Sequence, residues 1–229
     1  MAVAKTLALV IFGLVFVHSL VLVCWKTQAC GPAMFTINQF GYLFDLSREG
    51  NIPTWFSVVQ LFSVAIALLF LTLTERARGS PVGAWWGLVA IFSYLSLDEA
   101  TDMHGLWDSG MKDYVIQGMS HSQFTWIIPG AIVVFIVAGL YLKWLWMLPK
   151  RTRNLIILAG IVYVSGALVL EGVGGLLADS TFFNTSYLLV STAEEVLEMY
   201  GILIMLYAVL RHLDDRAVRL TIVSSAPAG

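Results

Sequence analysis

The sequence predicts an all-α integral membrane bundle of about six transmembrane helices, and three observations predict it. Hydrophobic residues make up 59% of the 229-residue chain and charged residues only 12%. Mean hydropathy is +0.82, and several apolar runs reach the ~20 residues that a helix needs to cross a bilayer. Lysines and arginines fall in alternate connections between those runs, the pattern that orients membrane helices. The whole chain, 1–229, reads as one transmembrane domain. A net charge of −2 with no basic cluster excludes a nucleic-acid partner. Two cysteines supply neither a disulfide scaffold nor a cysteine zinc site.

The expected spans are 6–25, 54–74, 83–103, 123–146, 154–176 and 187–210. The first apolar run, Leu7 to Trp25 after Lys5, has the length of a span rather than of a short secretory signal core. Lys5, the Arg76/Arg78 connection, the Lys150/Arg151/Arg153 connection and the tail with Arg211, Arg216 and Arg219 then share one side. Both termini are therefore expected in the cytoplasm. Trp25, Trp55, Trp107 and Trp126 would mark the outer interface, and Trp85, Trp86, Trp144 and Trp146 the inner one.

The first outer connection, 26–52, carries Phe35, Ile37, Phe40, Tyr42, Leu43, Phe44 and Leu46. Either a short amphipathic helix in the interface or a loop folded over the bundle fits that pattern. Glu49-Gly50-Asn51-Ile52-Pro53 turns the chain, with Pro53 suited to the first turn of the second span. Cys24 and Cys30 flank this region and either pair in an oxidising compartment or remain free buried thiols. In the fifth span, Gly172, Gly174 and Gly175 follow Glu171 and would admit a neighbouring helix closely. His18, alone in the apolar first span, reads as an interhelical hydrogen bonder, and His212 as a solvated residue at the inner interface.

The chemistry concentrates at Ser96-Leu97-Asp98-Glu99-Ala100-Thr101-Asp102-Met103-His104. Helical spacing puts Asp98 and Asp102 on one face, with Glu99 at its border. Each ionised carboxylate in hydrocarbon costs about 2.5–3.5 kcal/mol even on a lenient scale, so some partner must offset it. At a rise of 1.5 Å per residue, Asp98 lies roughly 20 Å above the inner end of its span and Glu171 about 25 Å above its own. Glu194 and Glu195 lie roughly 10 Å, and Glu198 about 15 Å, below the outer end of the last span. All of these acids converge on the outer half of the bilayer, beneath His104 and His121 and near Glu49.

Three readings of that cluster stay open. Asp98, Glu99, Asp102, His104, Glu171, Glu194, Glu195, Glu198 and His121 suit a metal ion: iron, manganese or zinc. Glu195-x-x-Glu198 and Glu99-x-x-Asp102 have the i, i+3 spacing of helix-bundle metal sites, though neither ends in His. A proton or substrate pathway is the second reading, but no inverted repeat or broken helix pair supports it. An aqueous vestibule of mutually bonded acids, sealed by a partner subunit, is the third. No Gly-x-Ser-x-Gly elbow, His-Glu-x-x-His pair or multi-histidine box occurs.

Phe44-Asp45-Leu46 leading into Glu49-Gly50-Asn51-Ile52-Pro53-Thr54-Trp55-Phe56-Ser57 forms one distinctive piece. Ser96-Leu97-Asp98-Glu99 through His104 forms a second, and Leu170-Glu171 followed by Glu194-Glu195-Val196-Leu197-Glu198-Met199-Tyr200-Gly201 a third. With these pieces the chain resembles, over roughly 44–210, a widespread and functionally uncharacterised group of small bacterial multi-pass membrane proteins. The resemblance implies a bacterial inner (plasma) membrane and a shared importance of the acids, but no reaction. That group often carries Glu directly after the motif histidine, where this chain has Gly105, which counts against a two-metal site.

The resulting expectation is an outward-facing carboxylate/His site that binds a metal ion, acting on a lipid or quinone if it is an enzyme. The alternatives are a non-catalytic accessory subunit of a larger membrane complex, or a proton-coupled transporter. The expected partners are the lipid bilayer and either complex subunits or further copies of the chain.

Overall fold

The computed structural model describes residues 2–106, 126–178 and 184–224. Among them every regular element is helical. The elements run α1 (Ala2–Thr27), α2 (Ala33–Phe40), a 3-10 turn (Gly41–Phe44), α3 (Ile52–Ala77), α4 (Gly83–Thr101), α5 (Ile127–Met147), α6 (Lys150–Val164), a π-helical turn (Ser165–Leu170), α7 (Glu171–Leu177) and α8 (Thr185–Ser224). Five stretches are long and apolar enough to cross a membrane: α1, α3, α5, the continuous Lys150–Leu177 unit, and Thr185–Arg216 within α8. These correspond to five of the six expected spans. Helix α4 occupies the position of the remaining one, and packs along α3 as its main partner.

Helix α8 is the axis of the bundle, touching α1, α3, α6, the π turn and α7. Two apolar clusters flank it. Leu61, Val64, Leu68 and Leu71 of α3 meet Trp85 and Leu88 of α4, Ala159 of α6, and Ile202, Met205, Leu206 and Val209 of α8. Nearer the other end, Ile11 and Leu14 of α1 pack with Leu46, Phe56 and Met199. The close approach of α6 and α8 has a small-residue cause. A Cβ added at Gly201 would meet the Tyr163 backbone nitrogen at 2.7 Å, and one at Gly166 the Glu194 carbonyl oxygen at 2.8 Å. The tight contacts thus fall at Gly166 and Gly201. At Gly172 and Gly174 a Cβ would make only ordinary contacts of 3.8 Å or more, so the expectation of close packing there needs correcting.

The 26–52 connection combines the two forms expected for it, a short helix and a strap folded onto the bundle. Cys24 and Cys30 are joined by a disulfide where α1 gives way to α2. Beyond the 3-10 turn, Asp45 and Leu46 are buried. Gly50 takes a positive φ of 72° that releases the strap into α3. Asn51 caps α3, its side-chain oxygen accepting from the Thr54 N–H at 3.1 Å. Its amide nitrogen donates to the carbonyls of Asp45 at 2.6 Å and Arg48 at 2.7 Å, fastening the strap to the helix. At the opposite end of the bundle Glu75 is buried between Arg78 at 3.0 Å and Arg216 at 3.3 Å, which ties α3 to α8.

Two interfacial expectations change. Trp85 is buried, edge-on to Trp144 at 4.7 Å between centroids, and so belongs to the core. His212 is also buried, with Nδ1 3.0 Å from Thr152 Oγ1, because the start of α6 packs directly on α8.

Candidate functional site

The acidic motif sits where α4 stops. The helix was expected to reach residue 103, but Asp102 takes the left-handed conformation, φ 50° and ψ 48°, and ends it. A short carboxylate side chain is among the few that tolerate this backbone. Residues 103–106 then form a further helical turn that folds His104 back over the end of α4. Asp98 and Asp102 therefore meet at His104 through a helix terminus rather than along a helix face. His104 Nδ1 lies 3.1 Å from Asp98 Oδ2, and Nε2 lies 3.6 Å from Asp102 Oδ1. Asp102 also accepts from the Gly105 N–H at 3.1 Å. A Cβ added at Gly105 would crowd the Asp102 carboxylate.

Charge holds His104 in its protonated form. Burial works against the imidazolium, but the hydrogen bond and charge of Asp98, then the charges of Glu171 and Asp102, outweigh it and raise the pKa to about 9. Asp98 Oδ1, by contrast, is a buried oxygen with no hydrogen-bond partner.

A cavity of about 290 Å³ opens beside His104. Its wall is made by Glu49 and Arg48 of the strap, His104 and Gly105, Glu171 and Gly174 of α7, and Tyr187, Ser191, Glu194 and Glu195 of α8, among others. Glu171 is positioned by Trp126, whose Nε1 donates to its Oε1 at 2.7 Å, and the Trp126 ring lies 5.3 Å from that of His104. Glu171 follows the π turn, so its direction reflects a skipped register in the helix ladder, a feature that recurs at functional sites. Arg48 does not neutralise the cavity: it is 62% exposed and pairs with Asp45 at 3.2 Å.

The structure brings Glu49, His104, Glu171, Glu194 and Glu195 to one wall, with Asp98 and Asp102 held behind His104. Glu99 and Glu198 are not on that wall, although both lie within electrostatic range of Glu195. His121 lies outside the described residues. Among the described residues, no three His, Cys, Asp or Glu side chains are mutually placed to hold a metal ion in this conformation.

Sequence reasoning missed the strap anchor. His18 is fully buried, accepts from the Leu46 N–H at Nδ1 (3.0 Å), and has Nε2 2.9 Å from Thr192 Oγ1. Asp45 Oδ1 lies 3.6 Å from the same Nδ1. A single histidine in the first span signalled an interhelical bond, but nothing in its spacing named Leu46 or Thr192. Trp126, expected as a mark of the interface, donates to Glu171.

Comparisons with curated proteins and with solved structures find no match. Residues 7–213 match the family described as a domain of unknown function, DUF8692, and the chain belongs to it.

Proposed function

We propose that this protein crosses a bacterial inner membrane six times, with both termini cytoplasmic, and binds a metal cation in the acidic cavity on the outer side. Two independent features support the orientation. The basic connections lie at one end, and the Cys24–Cys30 disulfide, which needs an oxidising compartment, lies at the other. Helix α4 supplies the sixth crossing: its 19 residues extend roughly 28 Å, close to the hydrocarbon thickness.

The observation that carries the cation reading is the imbalance of the cavity wall. Glu49, Glu171, Glu194 and Glu195 line it, opposed by the His104 imidazolium and an Arg48 already committed to Asp45. Carboxylates gathered at this depth are strongly destabilising unless a cation or protons offset them. Oxygen-rich ligation with one imidazole suits manganese, iron or zinc. Since no three described acids converge on one point in this conformation, metal binding requires Glu194 and Glu195 to turn inward. A metal held there would supply Lewis-acid or redox chemistry, and the site's depth favours a lipid or quinone as substrate.

Elemental analysis of the detergent-purified protein tests this beside a folded Asp98→Ala/Glu195→Ala variant. Near-stoichiometric iron, manganese or zinc, lost in the variant, is the expected result. Protein that stays metal-free when each ion is added in excess would overturn it.

A second reading, the accessory subunit, draws on α5, which has no buried residue and exposes Phe135, Ile136, Leu140 and Trp146. A partner at fixed stoichiometry after purification would favour it. A proton-coupled transporter is less well supported, because the cluster of Leu68, Leu71, Ile202 and Met205 fills the bundle beneath the acids.

A further inference from the structure

At the end of the bundle opposite the acidic cavity, α1 and α8 leave a second space between them, of about 320 Å³. From Ser191 to Arg211 the helix rises roughly 30 Å, so the two cavities are separate. The walls of the second are aliphatic: Val3, Ala4 and Leu7 from α1, and Leu203, Leu206 and Leu210 from α8. Tyr207, Arg211 and Asp214 supply its polar groups. Arg211 Nε is buried and makes no hydrogen bond, since Asp215 Oδ1 stands 4.0 Å away. An unpaired guanidinium donor in that setting is costly, and an anion would relieve it.

We propose that this groove binds one anionic phospholipid, with an acyl chain against Leu7, Leu203, Leu206 and Leu210 and the phosphate on Arg211. Three features favour this occupant. The groove is lined by transmembrane helices, so lipid is the molecule that reaches it. Its polar end carries a cation with an unused donor, the arrangement that recognises charged headgroups between membrane helices. At this end of α1, α3 and α8 cations also outnumber acids in the sequence: Lys5, Arg76, Arg78, Arg211 and Arg216, against Glu75, Asp214 and Asp215. Arg211 is the cation on the groove wall, and its ion pair with Asp215 is long, at 4.0 Å.

Native mass spectrometry of the full chain in detergent tests the proposal, with phosphatidylglycerol, phosphatidylcholine and inorganic phosphate as probes. The expected result is a single phosphatidylglycerol adduct, with phosphatidylcholine held about tenfold more weakly and phosphate not retained. Arg211→Gln should bring phosphatidylglycerol down to the phosphatidylcholine level. Ala4→Phe, which fills the groove without changing charge, should abolish both adducts, and Leu210→Trp serves the same purpose should Ala4→Phe not fold. Equal retention of the two lipids, an unchanged preference in Arg211→Gln, or an adduct that survives the groove-filling change would each overturn the proposal. Retention of phosphate alone would also overturn it, by showing a bare anion site.

Discussion

His18 Nε2 lies 2.9 Å from Thr192 Oγ1, and this contact joins α1 to α8 at the level of the acidic cavity. The network assigns the tautomer. Nδ1 accepts from the Leu46 N–H, and the Thr192 hydroxyl donates to the Leu188 carbonyl at 2.6 Å, so Nε2 carries the proton. One neutral imidazole therefore pins the strap bearing Arg48 and Glu49 to the helix bearing Glu194 and Glu195. His18→Leu should destabilise the protein by about 2–4 kcal/mol, because it strands a buried N–H and breaks a second bond. Thr192→Val should cost less, about 1 kcal/mol, with the two effects non-additive. Thermal unfolding of the four members of the double-mutant cycle measures this, and additive losses would show that the contact is not formed.

Helix α6 and helix α8 approach on Gly166 and Gly201. Gly201→Leu should force the Tyr163 backbone outward and lower stability by about 1–3 kcal/mol, the usual cost of overpacking. Gly139→Ala is the control, since nothing lies within 4 Å of a Cβ there and the melting temperature should hold.

The disulfide closes a short loop at the end of α1. Replacing Cys24 and Cys30 by Ser should cost about 2 kcal/mol on the chain-entropy account. In intact cells, a membrane-impermeant maleimide should label the native cysteines only after reduction, from the side opposite the basic connections. Labelling without reductant would show free thiols.

Much of this architecture was legible in the sequence. Long apolar runs and alternating basic connections gave five helices now seen at the expected positions, with α4 at the sixth. The depth arithmetic located Glu171, Glu194 and Glu195 near His104, because rise per residue is a property of any α-helix. What was not legible depends on irregular backbone. Asp102 ends α4 through a left-handed residue, and the π turn before Glu171 shifts the ladder, so helical periodicity could not give either side-chain direction. His212 and Trp85 looked interfacial because their sequence neighbours are; their burial follows from tertiary packing between elements far apart in the chain. His18 and the strap met for the same reason.

His104 provides the last prediction, an ordering of effects. Its imidazolium is opposed by burial and favoured by Asp98 at 3.1 Å, then Glu171, then Asp102 at 3.6 Å, with Glu49, Glu99 and Glu194 also in electrostatic range. The raised folded-state pKa fixes the sign of the linkage. The stabilisation from His104 is fully present below the unfolded value of 6.5 and is lost as pH rises through about 9. In chelator-treated protein, the His104 ring resonances should titrate near 9. Asp98→Asn should lower that midpoint most, because it removes both a hydrogen bond and a charge. Glu171→Gln should follow, and Asp102→Asn should lower it least. Gly105→Ala should act like Asp102→Asn, since its Cβ displaces the Asp102 carboxylate without touching Asp98. A larger effect from Asp102→Asn than from Asp98→Asn would mean that the left-handed turn, rather than the end of α4, sets the charge of the site.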